Sequence, residues 1–377
     1  MKALAAVLAA PGGPLELTEV EVKDPRPDEL VVRIAGVGIC HTDLGVIDAP
    51  AKGQLPIVLG HEGSGVVERV GADVPDLVEG DHVVLSYSYC GTCDNCARAL
   101  PMHCREFVAR NMTGARSDGS SPLVIGERTL LGSWFGQSSW SSHAVTNYRN
   151  CVKVGSHLPL HLLGPLGCGI QTGAGVVLNT LQPRPNSSVA IFGVGSVGLS
   201  ALLAARVVGC DPIIAVDIDD ARLKKAASLG ATHTINSSKR QPVNTIKELT
   251  AGFGTHYSVD CIGLPPVVRD ALECLQTPGV CATVGFQSLP NEVVIDQGSV
   301  LFGKTLIGVI EGDAVPQEFI PQLLQLYEDG LFVFDELIDL FDFSSINDAI
   351  SAVHDGTTTK AVLTFGDAPR HGTSVHV

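Results

Sequence analysis

The segment "YCGTCDNCARALPMHC" places Cys90, Cys93, Cys96 and Cys104 in the spacing C-x2-C-x2-C-x7-C. Four thiolates so close in sequence can complete a tetrahedral shell around zinc with no open position, the arrangement of a structural metal. A disulfide framework fits poorly, because the chain has 11 cysteines, an odd number, and is long enough to need no staples. A ferredoxin-type cluster wants a three-residue last gap followed by proline, whereas this gap is seven and Arg105 follows. The spacing therefore reads as metal binding in a reducing, cytoplasmic setting.

A second set of candidates is dispersed. "GICHTDLG" carries Cys40, His41, Thr42 and Asp43, "GHEGSG" carries His61 and Glu62, and "GPLGCGIQTG" carries Cys168. Neighbouring Cys40 and His41 side chains rarely converge on one ion. A lone cysteine is usually buried core and a lone histidine usually a satisfied residue. Spacing alone does not join Cys40, His61 and Cys168.

A third set is contiguous. Gly193-x-Gly195-x-x-Gly198 follows the apolar strand "SVAIF" and opens the helical run "LSALLAARVVG". The motif gains meaning from this context, and a second strand, "IIAVD", ends on Asp217, 19 residues past Gly198. Gly193 allows the tight turn, Gly195 lets a pyrophosphate approach the backbone, and Gly198 lets helix and strand pack closely. The helix N-terminus offers unpaired N–H groups to the phosphates. Asp217 would accept hydrogen bonds from ribose hydroxyls and repel a 2′-phosphate, which selects NAD over NADP. Arg222 could support the adenosine end, or be an ordinary surface arginine.

The elements that must position these residues change character along the chain. The first 150 or so residues are short alternating segments broken by Gly and Pro, such as "LELTEVEV", "ELVVRIAGV" and "GSGVVERVG", which predict antiparallel strands. From about 187, apolar strands alternate with amphipathic helices, so the fold class is α/β with a parallel sheet covered on both faces. After about 312 come the helix "PQEFIPQLLQLYEDG", a helix with Ser345 and Asp348 at capping-box spacing and Gly356 at C′, a final strand "KAVLTF", and a polar tail over 366–377.

Bulk properties narrow the partners. At 377 residues two domains are expected. The 25 Lys and Arg against 40 Asp and Glu give a net charge of −15, which argues against nucleic acid or an anionic membrane. No apolar run reaches the length of a transmembrane span. The N-terminal run Ala3–Ala10 is short and is cut off by "PGGP", so a signal peptide is not expected.

Taken together, "GICHTDLG", "GHEGSGVV", the four-cysteine lobe, "GPLGCGIQTG", "GVGSVG" and "AVDIDDARLKKAASLGAT" resemble the zinc-dependent medium-chain alcohol dehydrogenases, in the family's order and over nearly the whole chain. "AAVLAAPGGPLELTEVEV" and "GDHVVLSYSYCGTCDNC" are most similar to its aryl-alcohol (benzyl alcohol) branch. The resemblance implies a GroES-like β-rich catalytic domain over 1–169 and 313–377, with the structural zinc lobe at about 88–106, and a Rossmann NAD-binding domain over 170–312.

It further implies two zinc ions per chain. The catalytic one would be held by Cys40, His61 and Cys168, with Glu62 close behind and Asp43 orienting His61. Thr42 matches the hydroxyl that carries the substrate proton, and His41 and Lys360 match basic contacts to the NAD pyrophosphate. Gly45 stands where some relatives have a relay histidine, so the last step is left to solvent or another group.

The implied activity is oxidation of a primary alcohol, aryl or allylic, to its aldehyde by NAD⁺, and the reverse. Terpenoid or medium-chain aliphatic alcohols are alternatives, and a glutathione adduct is less favoured. A zinc-free reductase of the same superfamily is opposed by the cysteines and Asp217, and a non-catalytic zinc/NAD scaffold by the presence of all three ligands. Trp134, Trp140, Tyr87 and Phe286 are candidates for an apolar pocket, each equally a core residue. The family forms dimers or tetramers.

Overall fold

Alternation of apolar and polar residues puts the strands of the N-terminal region into two antiparallel systems, as their sequences predict. The computed structural model describes residues 1–126, 128–287 and 290–366; the C-terminal part of the polar tail lies outside them. Five strands run in the order Ile57–Val58, Lys2–Leu8, Glu16–Val22, Leu123–Ile125, Arg128–Leu130. A larger sheet runs Cys151–Val154, His82–Leu85, Glu62–Val70, Glu29–Gly38, Lys360–Thr364, Ile338–Asp342, with His143–Asn147 also pairing onto Glu29–Gly38.

That second sheet determines which functional residues meet. Gly38 closes its strand opposite Glu62 on one side and opposite Val362 on the other. A Cβ at Gly38 would lie 1.9 Å from Glu62 Oε2. Only glycine therefore lets the Glu62 carboxylate cross the central strand towards Lys360, which begins the strand beyond.

The other compact unit is a six-stranded parallel sheet in the order His233–Asn236, Ile213–Asp217, Val189–Phe192, Thr255–Asp260, Leu275–Thr283, Lys304–Gly308. In chain order this is 3-2-1-4-5-6, the doubly wound dinucleotide-binding arrangement. The first unit comprises Met1–Cys168, Val315–Pro321 and the chain from Asp335; the second comprises Gly169–Ala314 and Gln322–Phe334. Residues 322–334, which the sequence reading kept with the catalytic domain, group with the second unit and carry the buried Leu323, Leu324, Phe332 and Phe334.

One capping expectation fails. Ser345 ends a short 3-10 turn at φ −99°, ψ 24°, and its side chain makes no cap bond to the helix Ile346–His354. Asp342 caps that turn instead, accepting from Ser344 N at 2.8 Å. Gly356 does adopt the left-handed conformation expected just past the helix, with φ 70°.

Candidate active site

Cys40 lies just past the strand Glu29–Gly38 and directly before the helix His41–Asp48. His61 immediately precedes the strand Glu62–Val70, and Cys168 follows a short turn over Gly164–Gly167. Their ligand atoms, with a carboxylate oxygen of Glu62, all lie within 4.8 Å of one another. His41 is not in this group; it is exposed on the first turn of its helix. Residues that spacing could not connect are thus brought together.

The environment suits a metal. Asp43 is fully buried and accepts His61 Nδ1–H at 2.9 Å, so a neutral, metal-binding imidazole would carry its lone pair on Nε2. Nε2 is buried and has no hydrogen-bond partner among the described residues. A buried acceptor left unmatched beside two thiols is the state expected of a ligand facing its ion. The Cys40 thiol is held well below the ordinary range, first by its hydrogen bond with Cys168 and then by His61 and Lys360, against the opposing effect of burial. Two thiolates, a neutral imidazole and an open fourth position are the donor set of a catalytic zinc.

Asp43 collects more than His61. Its Oδ1 also accepts from Gly60 N at 3.1 Å and Trp134 Nε1 at 2.9 Å, while Oδ2 accepts from Cys40 N at 3.4 Å. Trp134 is therefore buried around a polar function, and Trp140 and Tyr87 are buried with it in the core. Phe286, the fourth aromatic read as a pocket candidate, is 71% exposed. Thr42 Oγ1 lies 3.8 Å from Cys40 Sγ. Gly45 is exposed, and a Cβ there would meet nothing within 4 Å.

Lys360, expected at the coenzyme phosphates, is buried and gives its three N–H groups to Glu62 Oε1 (2.9 Å), Glu62 Oε2 (2.8 Å) and Ile39 O (3.1 Å). Three donors meet three acceptors, so in this conformation none remains for a phosphate. Burial raises the Glu62 carboxyl and Lys360 pulls it back; burial opposes charge on Lys360, and Glu62 together with Cys40 and Cys168 more than offsets that.

Cys90, Cys93, Cys96 and Cys104 form the second group with ligand atoms within 4.8 Å. Backbone N–H groups point at the sulfurs: Thr92 and Cys93 donate to Cys90 Sγ, and Cys90 and Glu106 to Cys104 Sγ. Burial pushes the Cys90 thiol up, but those two donors bring it down to about 6, while burial and Cys93 push Cys96 to about 12. One thiolate forms readily and the next is resisted, a conflict that a bound dication removes.

In the parallel-sheet unit, Gly193 has φ 85° and a Cβ on Gly198 would lie 1.9 Å from Gly193 O, so both positions require glycine. A Cβ on Gly195 would meet nothing within 4 Å, which leaves the cradle before the helix Ser196–Val208 open to a pyrophosphate. No side chain caps that helix. Asp217 accepts from Val194 N, Ile218 N and Asp219 N, three of roughly four acceptor sites on a carboxylate, leaving one for a ribose hydroxyl. Arg222 is half-buried on the first turn of the helix Asp220–Leu229.

Comparison with known proteins agrees with this geometry. Residues 26–156 match the alcohol dehydrogenase GroES-like domain, and residues 196–329 match the zinc-binding dehydrogenase domain. The chain is 46% identical to a geraniol dehydrogenase of Castellaniella defragrans, over 97% of this chain and 98% of that protein. The solved structure of benzyl alcohol dehydrogenase from Acinetobacter calcoaceticus is 43% identical, with TM-score 0.93 over 97% of this chain and all of that one. An alcohol dehydrogenase zinc-binding domain protein from Burkholderia ambifaria is 45% identical, with TM-score 0.94 over 97% of this chain and 99% of the other. The chain belongs to the zinc-dependent medium-chain alcohol dehydrogenases, with a GroES-like and a Rossmann domain. It is an NAD-dependent zinc alcohol dehydrogenase with one catalytic and one structural zinc per chain.

The sequence reading missed two neighbours of His61. Phe135 stacks on its imidazole, ring centroids 4.3 Å apart, and Gln137 donates to its carbonyl at 2.9 Å. No spacing or motif marks either residue.

Proposed function

We propose that the substrate is an allylic or aryl primary alcohol, oxidised to its aldehyde, with Cys40, His61 and Cys168 as the catalytic zinc ligands. The observation that carries the ligand assignment is the orphaned His61 Nε2 beside two thiols. Support for the substrate class comes from the two named relatives, one acting on geraniol and the other on benzyl alcohol. The carbinol carbon of both alcohols is next to an sp² carbon, so positive charge developing there as hydride leaves is delocalised.

When bound, the zinc supplies a Lewis acid that acidifies the substrate hydroxyl, and NAD⁺ supplies the hydride acceptor. Asp43 holds the His61 ring and keeps its Nδ1 protonated. Thr42 takes the hydroxyl proton and passes it on. With Gly45 exposed and the space beside it open, water accepts that proton in place of a histidine. Among the described residues no cysteine is joined in a disulfide, which supports a reducing, cytoplasmic setting.

The test compares kcat/KM for geraniol, cinnamyl, benzyl, hexyl and ethyl alcohols with NAD⁺. The first three are expected to exceed hexanol and ethanol by about tenfold or more, a difference of about 1.4 kcal/mol in transition-state binding. A preference for ethanol overturns the proposal.

We also propose that the chain forms a homodimer or homotetramer through the edge strand Lys304–Gly308. Among the described residues that strand is paired on one side only, and Leu301, Phe302, Ile307 and Ile310 are exposed around it. An unpaired apolar edge is suited to pairing with a second copy. Light scattering should give a multiple of the 39.4 kDa chain mass that Ile307→Lys reduces to the monomer. A wild-type monomer would end this reading.

A further inference from the structure

Residues 134–138 reach His61 from three directions. Trp134 Nε1 and His61 Nδ1 both donate to Asp43 Oδ1, each at 2.9 Å. Phe135 lies on the imidazole face, the two rings inclined by only 23°. Gln137 Nε2 donates to His61 O (2.9 Å) and Ser86 O (3.3 Å), and its Oε1 accepts from Gly63 N (3.1 Å) and Ser139 Oγ (2.9 Å). That is the full capacity of an amide, spent in a buried place.

The backbone is strained to achieve this. Phe135 has φ 50°, ψ 31°, and Ser138 has φ 47°, both in the left-handed region that residues with side chains avoid. Ser138 fastens the turn: its Oγ accepts from Trp134 N at 2.8 Å and donates to Val58 O at 2.6 Å. Strain of this kind persists where surroundings over-determine it, and it concentrates at functional sites.

We propose that Trp134, Phe135 and Gln137 are a single positioning clamp for the His61 ligand. The Asp43 bond fixes one point of the ring, and a ring held at one point can still tilt. The Phe135 face fixes the plane, Gln137 anchors the backbone, and Trp134 holds the acceptor that the ring depends on. Gln137 extends the restraint to a second ligand: it binds Ser86 O, and Ser86 Oγ donates to Gly167 O at 2.7 Å, one residue before Cys168. The clamp's effect is to keep Nε2 and the Cys168 thiol at metal-binding separation. It rests on the reading of His61 as a ligand of the catalytic zinc.

The experiment follows zinc release from the holoenzyme to a chromogenic chelator, with the phase missing in Cys168→Ser identified as catalytic. Trp134→Phe removes the indole N–H, and Phe135→Leu removes the stacked ring while keeping an apolar side chain. Both should accelerate the catalytic phase by about tenfold or more, as loss of an outer partner of a ligating histidine does. The phase from the four-cysteine lobe should not change. Trp140→Phe is the control, because that equally buried indole donates to Gly38 O and not to Asp43; it should leave both phases as in the parent. An unchanged catalytic phase in Trp134→Phe and Phe135→Leu, or equal acceleration in Trp140→Phe, overturns the clamp. A parent enzyme holding one zinc per chain would instead defeat the ligand reading beneath it.

Discussion

Lys360 and Glu62 form a buried ion pair across the central strand, their side chains 2% and 0% exposed, with both carboxylate oxygens on the one ammonium. Such a pair gains little over an apolar replacement, but losing one partner strands the other charge in a low-dielectric site. Lys360→Met should therefore destabilise the protein by about 3–5 kcal/mol, and Lys360→Met with Glu62→Gln should recover part of that loss. Denaturant midpoints at unchanged slope measure both. A single variant as stable as the parent would show that Glu62 does not depend on Lys360.

Asp43 holds its position through four donors, of which His61 is one. Asp43→Asn keeps the shape and loses the charge that fixes the histidine tautomer. Affinity for the catalytic zinc should fall about 10–100-fold, with the four-cysteine zinc as internal reference. Chelator competition on the intact enzyme reads both ions, and equal weakening of the two would point to general unfolding.

Much of this site can be read from sequence because its parts obey local rules. The four cysteines are close enough that spacing alone predicts their convergence. Gly193 and Gly198 are fixed by a turn and a close approach that only glycine satisfies. Cys40, His61 and Cys168 meet through strand register and a loop, and only family likeness joined them. Lys360 shows the limit of likeness: the motif placed a basic residue correctly in the chain, but its partner is set by the neighbouring strand and by Gly38. Phe135 and Gln137 left no signal, since ring stacking and amide bonding to a backbone carbonyl carry no periodicity.

Cys274 and Cys281 are fully buried, and burial pushes each thiol from 9.0 to about 12. A raised thiol pKa leaves stability intact below the unfolded value and removes it as pH climbs from about 9 through 12. At pH 8 both should resist iodoacetamide in the native enzyme and react once it is unfolded, because the thiolate is the nucleophile. Peptide mapping after alkylation checks this. Labelling of either residue at the native rate of an exposed cysteine would contradict the packing.

Asp217 ends its strand with three backbone N–H groups on its carboxylate. Those bonds aim the side chain at the mouth of the glycine turn. A fixed negative charge there would accept from ribose hydroxyls and repel a 2′-phosphate, so discrimination between coenzymes is expected to depend on the charge more than on the shape. Asp217→Asn preserves the shape and can still accept from Val194 N or Ile218 N. It should lower the ratio of kcat/KM for NAD⁺ over NADP⁺ by about tenfold or more, with most of the change in coenzyme KM. Steady-state kinetics with each coenzyme at saturating alcohol decide the matter. An unchanged ratio would assign the preference to other groups and leave Asp217 as the brace of its own turn.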